Sequence, residues 1–142
     1  MTIRNDLRAT AMDILKENDR GSYTVPTKGL YPFQWNWDSC FTALGQSHYD
    51  LDRAWTEIET LMDSQWADGM VPHMVFHEAA AGYFPGPDVW DTKCECTPTS
   101  GITQLPIAGF AVNELWRRSE GRTDRDSRAH EHPGQGVNDV VL

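Results

Sequence analysis

Ile3, Leu7, Ala11, Ile14 and Leu15 recur at i, i+4, i+8, i+11 and i+12, which is one face of an α-helix. The pattern predicts a first helix ending near Asp19-Arg20-Gly21, with the glycine as its stop. Residues 22–30 then read as a loop punctuated by Pro26 and Gly29. A second helix is expected from Asp38 or Ser39, whose side-chain oxygen can accept from the unpaired N–H groups of a first turn. Phe41, Ala43 and Leu44 would face inward. Asp50 or Asp52 stands where a third helix needs a cap. Its stripe is Ala54, Trp55, Ile58, Leu61, Met62 and Trp66, and Gly69 follows as the terminator.

From Gly69 to Gly101 the periodicity is lost. Gly69, Gly82, Gly86 and Gly101 mix with Pro72, Pro85, Pro87 and Pro98, so neither helix nor strand can dominate. A connection of this length in a compact domain is uncommon unless it has a task. Helical spacing resumes with Ile107, Phe110, Ala111 and Leu115, opened by Pro106. No run of alternating strand character is present, and the layout is all-α: helix, loop, helix, helix, long loop, helix. Beyond Gly121 there is no aromatic residue, and Ala129, Val137, Val140, Val141 and Leu142 have neither helix nor strand spacing. Residues 121–142 are therefore expected to be an unstructured tail outside a packed domain formed by 1–120.

Composition narrows the functional classes. A length of 142 residues suits one domain with a modest core. The formal net charge of −9, with no run of Lys or Arg, repels a phosphate backbone and argues against nucleic acid as a partner. Nowhere do about 18 apolar residues run together, so no membrane span is expected, and the N-terminus has no signal-like apolar stretch. Three cysteines, an odd number, suggest free thiols in a reducing compartment, and a cytoplasmic location is expected.

The segment "YPFQWNWDSCF" (31–41) holds five aromatic residues among Gln34, Asn36 and Asp38. Sugars present apolar C–H faces with a rim of hydroxyls, so their sites set aromatic platforms beside carboxylates and amides. Core tryptophans beside a capping aspartate would account for the same residues. His73 and His77 are four apart, and Cys94 and Cys96 lie in the same long loop. A Cys2His2 metal site is conceivable, but Pro72 argues against helix there and C-x-C is not the usual knuckle spacing. Loop histidines without a metal are the simpler reading, and no cofactor is expected. "GYFPGPDVWD" (82–91) combines rigid prolines with hinging glycines, as a lid over a ligand would, or an ordinary loop. Gln104, two residues before Pro106, has an amide able both to donate and to accept toward a ligand or toward solvent.

Four motifs in order, "YPFQWNWDSCFTALG", "QWADGMVPHMVF", "GYFPGPDVW" and "TSGITQLPIAGFAV", resemble the N-terminal part of the glucosylglycerate and mannosylglycerate hydrolases of glycoside hydrolase family 63. The likeness covers roughly Ile3 to Glu120. It implies the N-terminal portion of an (α/α)6 barrel and an inverting hydrolysis of the α-glycosidic bond in a small glycoside such as glucosylglycerate or mannosylglycerate. It also implies substrate-binding roles for Tyr31, Trp35, Asn36, Trp37, Asp38, Tyr83 and Gln104. Inversion needs two carboxylates, and the "ESGxDN"-like aspartate motif and later glutamate motif of the family are absent here, so no catalytic residue is assigned. Part of a closed ring leaves apolar helix faces uncovered, and association through them is expected. Together with the change of composition near Gly121, this suggests a frameshift after "LWRRSEG" and a chain inactive by itself. The alternatives are a non-catalytic carbohydrate-binding remnant and one chain of a split hydrolase.

Overall fold

A computed structural model of the chain describes residues 3–79, 82–90, 92 and 97–131, with side chains described over 6–79, 82–90, 92 and 97–121. Its elements are α1 (Ile3–Asn18), β1 (Gln34–Trp35), α2 (Asn36–Gln46), α3 (Leu51–Met62), β2 (Met74–Val75), α4 (Pro87–Trp90) and α5 (Ala108–Glu131).

The first helix ends where its sequence says it should. Gly21 follows with φ 91, and its N–H donates to Asp19 Oδ1 at 2.7 Å. The apolar stripe of α1 is largely uncovered, however: Leu7 is 66% exposed and Ile14 53%.

The start of α2 departs from expectation. The helix begins at Asn36, so Asp38 lies in its first turn instead of capping it, and Trp35 occupies the cap position in extended conformation with no side-chain cap bond. The acceptor comes from elsewhere in the chain, from Gln104.

Asp50 caps α3 as expected, its Oδ1 accepting from the Arg53 N–H at 2.9 Å. The helix stops at Met62, short of Trp66 and Gly69. Trp66 and Gly69 form a separate turn, in which the Gly69 N–H donates to the Trp66 carbonyl at 2.8 Å and Gly69 takes φ 93. The indole N–H of Trp66 donates to Thr99 Oγ1 at 3.0 Å, which draws the ring out of the helical stripe toward the long loop.

The helical core is formed by Cys40 and Ala43 of α2, Ala54, Ile58 and Leu61 of α3, and Ala111 and Leu115 of α5, closed from above by Val75. The α2–α3 connection spans only Ser47–Asp50, so the two helices run antiparallel. Their outer ends are joined by an antiparallel pairing of β1 with β2, Gln34 opposite Val75 and Trp35 opposite Met74. Val75 also bridges Thr99. The Ser100 N–H donates to the Met74 carbonyl at 3.0 Å, and the His73 N–H to the Ile102 carbonyl at 2.8 Å. The long connection is therefore pinned to one end of the bundle by short extended pieces. Strands of two residues carry no alternation that a sequence pattern could reveal.

A buried polar network ties this end together. Glu57, 0% exposed, accepts from Arg53 Nη2 at 2.9 Å, Thr24 Oγ1 at 2.8 Å, Ser39 Oγ at 2.5 Å and Gln34 Nε2 at 3.2 Å. Arg53 also donates to Asp19 at 2.9 Å. A carboxylate can be this deep only because its lone pairs are filled and its charge is paired.

The last helix continues past Gly121 to Glu131, where a structureless tail was expected. Residues 122–131 are mostly Arg, Asp, Ala and Glu with no proline, and one internal glycine costs only about 1 kcal/mol against helix. Residues 132–142 lie outside the described ones. Among the described residues no helix is long and apolar enough to cross a membrane.

Candidate functional site

Because the N-terminus of α2, the C-terminus of α3 and the start of α5 share one end of the bundle, the segments around 31–38, 73–90 and 99–106 converge there. Phe33, Trp35, Met74 and Phe76 form an aromatic cluster distinct from the helical core, with Tyr83 and Trp90 packed against it. Tyr31 meets Trp35 edge-on at 5.5 Å, and Tyr83 meets Phe33 at 5.0 Å and Trp35 at 5.9 Å, also edge-on. The Tyr83 phenol is held above its ordinary value by burial and then by the neighbouring Tyr31. Two tyrosines thus flank one tryptophan, with Trp35 itself 9% exposed.

Beside this cluster, the Trp37 backbone N–H donates to Gln104 Oε1 at 2.9 Å, and the Trp37 indole N–H donates to the Leu105 carbonyl at 2.9 Å. The first-turn amides of a helix lack internal partners, and the glutamine from a distant loop supplies one. With its oxygen engaged, the Gln104 amide presents its NH2 group as the remaining donor. Asp38 follows one residue on, half-buried and without an ion pair among the described residues. Burial raises its pKa above the ordinary 3.8, opposed by its own backbone N–H.

Asn36 is placed differently from the other candidates. It is 3% exposed, its Nδ2 donates to the carbonyls of Pro72 at 3.3 Å and Val71 at 3.5 Å, and its Oδ1 faces Cys40 Sγ at 3.9 Å. Its amide holds the loop after α3 and has no free face toward a ligand. Tyr31, Trp35 and Tyr83 come together as rings, while Trp37, Asp38 and Gln104 come together as a polar edge at the helix start.

The two loop histidines are engaged separately. His73 Nδ1 lies 2.5 Å from Ser100 Oγ, and its ring leans on Trp90 at 5.6 Å. His77 Nε2 is 2.7 Å from Gln34 Oε1, and its ring stacks on Tyr23 at 4.2 Å. Burial lowers the pKa of both. Among the described residues no group of three or more His, Cys, Asp or Glu could hold a metal; Cys94 and Cys96 lie outside them. Glu57, Gln34 and Arg53 form the support of this end that sequence reasoning missed. The available signal was a glutamate between Ala54 and Ile58, on the buried stripe of α3.

The architecture is that of part of an (α/α)6 toroid, with the candidate residues gathered on the loops at one end. The chain belongs to the mannosylglycerate hydrolase MGH1-like glycoside hydrolase domain family, whose match covers residues 31–131. It is 50% identical over 121 residues to a mannosylglycerate hydrolase of Thermus thermophilus, across 84% of this chain and 29% of the relative. It is 41% identical over 127 residues to a glucosylglycerate hydrolase of Mycolicibacterium hassiacum, across 84% of this chain and 28% of the relative. The crystal structure of a GH63 mannosylglycerate hydrolase from Thermus thermophilus in complex with Tris and D-glycerate superposes with a TM-score of 0.75 at 48% identity. That match covers 88% of this chain and 30% of the other. The chain therefore spans under a third of the length of these relatives.

Proposed function

We propose that this chain forms the sugar-gripping part of a glycoside hydrolase that cleaves, with inversion, the α-glycosidic bond of a small glycoside of glycerate. The observations that support the reading are the bond from the Trp37 N–H to Gln104 Oε1, one residue before Asp38, and the gathering of the Tyr31 and Tyr83 rings on Trp35. A hexose bound there would lay a C–H face against the rings, accept from the Gln104 NH2 group and donate hydroxyl protons to Asp38. The ligand class follows the relatives, which are named for mannosylglycerate and glucosylglycerate hydrolysis. The acid and base of an inverting mechanism stand roughly 6.5–9.5 Å apart, and none of the matched motifs supplies either. Hydrolysis then belongs to the assembled barrel, and binding to this portion. The cytoplasm is the setting we assign, on the odd cysteine count and on Cys40 as a buried free thiol.

Calorimetric titration of the 142-residue chain with glucosylglycerate and mannosylglycerate tests this reading. Saturable heat that Asp38→Ala removes, without release of hexose, is expected. Absence of heat with either glycoside overturns it. The second reading is a carbohydrate-binding remnant with no catalytic partner. It requires the same binding, with no hexose released even when the rest of a relative's barrel is supplied.

A further inference from the structure

Gln34 is fully buried, so its amide needs both an acceptor and a donor from within the protein. It stands in β1 immediately before Trp35, and its backbone pairs with Val75 of β2. Neighbouring side chains of a strand point to opposite faces. Phe33 and Trp35 turn into the aromatic cluster, and the side chain between them turns the other way, onto Glu57 of α3.

The orientation of that amide is fixed by its neighbours. Gln34 Nε2 donates to Glu57 Oε1 and to the Glu57 carbonyl, both at 3.2 Å, and Arg53 Nη2 pairs with the same carboxylate at 2.9 Å. Reversing the amide would set its oxygen against those acceptors. Gln34 Oε1 therefore faces His77, whose Nε2 lies 2.7 Å away. A carbonyl oxygen only accepts, so the His77 proton must sit on Nε2. The His77 ring in turn stacks on Tyr23 at 4.2 Å, and the Tyr23 hydroxyl donates to Glu78 Oε1 at 3.3 Å. Phe76, one residue before His77, meets Phe33 edge-on at 4.8 Å. One amide thus joins α3, β1 and the segment leaving β2, the three pieces that carry or support the ring cluster.

We propose that Gln34 is a positioning residue for the sugar platform. Bonded to Glu57 on one side and to His77 on the other, it fixes β1 against α3 and the β2 segment. It thereby fixes where the Trp35 ring stands between Tyr31 and Tyr83. Gln34 touches no ligand itself and acts through Trp35. The inference deepens the sugar-binding reading and rests on it for the ligand. An apolar side chain of the same length would fill the space and leave Glu57 Oε1 and His77 Nε2 each one partner short.

The test compares three variants of the 142-residue chain with the parent: Gln34→Met, Gln34→Glu, and Gln34→Glu combined with Glu57→Gln. The first removes the bonds at nearly constant length. The second sets two carboxylates face to face. The third restores one carboxylate and one amide between Arg53 and His77, with their order exchanged. The Trp35 indole N–H resonance of the ligand-free chain is expected to move in both single variants and to return toward its parent position in the exchange. Kd for glucosylglycerate or mannosylglycerate should rise about tenfold in the single variants and recover in the exchange. Leu115→Ala, which loosens the helical core elsewhere, should keep the parent Kd, because lost stability alone does not move the platform. Circular dichroism confirms that each variant keeps its helices. Nitrogen-15 NMR of the parent chain at neutral pH should show the His77 proton on Nε2, a reading that needs no variant to fold. A proton on Nδ1 alone, a Trp35 resonance unmoved by Gln34→Met, a Kd indifferent to that change, or no recovery in the exchange overturns the proposal. A parent chain that binds neither glycoside overturns the sugar-binding reading instead, and the Trp35 and His77 resonances still decide the role of Gln34.

Discussion

Gln104 accepts a hydrogen bond from the backbone N–H of Trp37 at 2.9 Å across 67 residues of sequence. One bond does two things: it caps α2, which has no side-chain cap of its own, and it aims the glutamine's NH2 group away from the helix. The capping bond uses the amide oxygen alone and leaves the NH2 group of the same side chain for the ligand contact proposed above.

Gln104→Ala is expected to cost about 1 kcal/mol of stability, the usual worth of a lost cap, and to lose sugar affinity as well. Gln104→Glu keeps an acceptor for the Trp37 N–H but removes the donor, so it should retain stability and still lose affinity. Urea unfolding and calorimetric titration on the two variants separate these effects. Equal loss of stability in both would refute the division of roles.

Glu57→Ala should be among the most damaging single changes. It strips four donors of their acceptor and leaves Arg53 half-paired in a buried site, an arrangement that costs about 3–5 kcal/mol when one partner is removed. Urea unfolding reads the loss directly. Replacing Glu57 and Arg53 together with apolar residues should cost less than Glu57→Ala alone.

The two faces of the helical layer should respond very differently to truncation. Leu115→Ala, at a fully buried site in the α2–α3–α5 core, is expected to cost about 2–5 kcal/mol. Leu7→Ser, on the uncovered stripe of α1, should stay within about 0.5 kcal/mol of the parent. Comparable losses at both positions would mean that α1 is packed in solution.

Stability should fall in mild acid. His48, His73 and His77 all have folded-state pKa values below the ordinary 6.5, with burial as the first cause. The unfolded chain then takes up protons that the folded one refuses. Their contribution is complete above 6.5 and is lost as pH falls from there through the folded values. Asp38 acts in the opposite sense at more acidic pH: its raised pKa penalises the charged folded form, and protonation relieves that penalty. Urea midpoints of the parent and of His77→Phe, followed downward from neutral pH, should show a shallower acid decline in the variant.

The helical scaffold was legible because its signals are local. The stripe and glycine stop of α1, the Asp50 cap and the spacing from Ile107 to Leu115 all correspond to elements. What sequence could not show came from distant partners. The start of α2 depends on Gln104, and the end of α3 on Thr99 drawing Trp66 away. The order in the long connection comes from two-residue strands. The candidate site residues are gathered at one end, yet adjacency in sequence misleads for Asn36, whose amide turns inward to Pro72 while the neighbouring Trp37 bonds Gln104 and Leu105. Helix past Gly121 carries no aromatic residue and no apolar stripe that a sequence pattern could detect.

The most direct test of the account follows the indole N–H resonances of the six tryptophans by NMR as glucosylglycerate or mannosylglycerate is added. Saturable shifts are expected at Trp35 and Trp37, with Trp55, bonded to Ser119 on the far side of the bundle, unmoved. No shift, or shifts at Trp55 and Trp116 in place of Trp35 and Trp37, would contradict it.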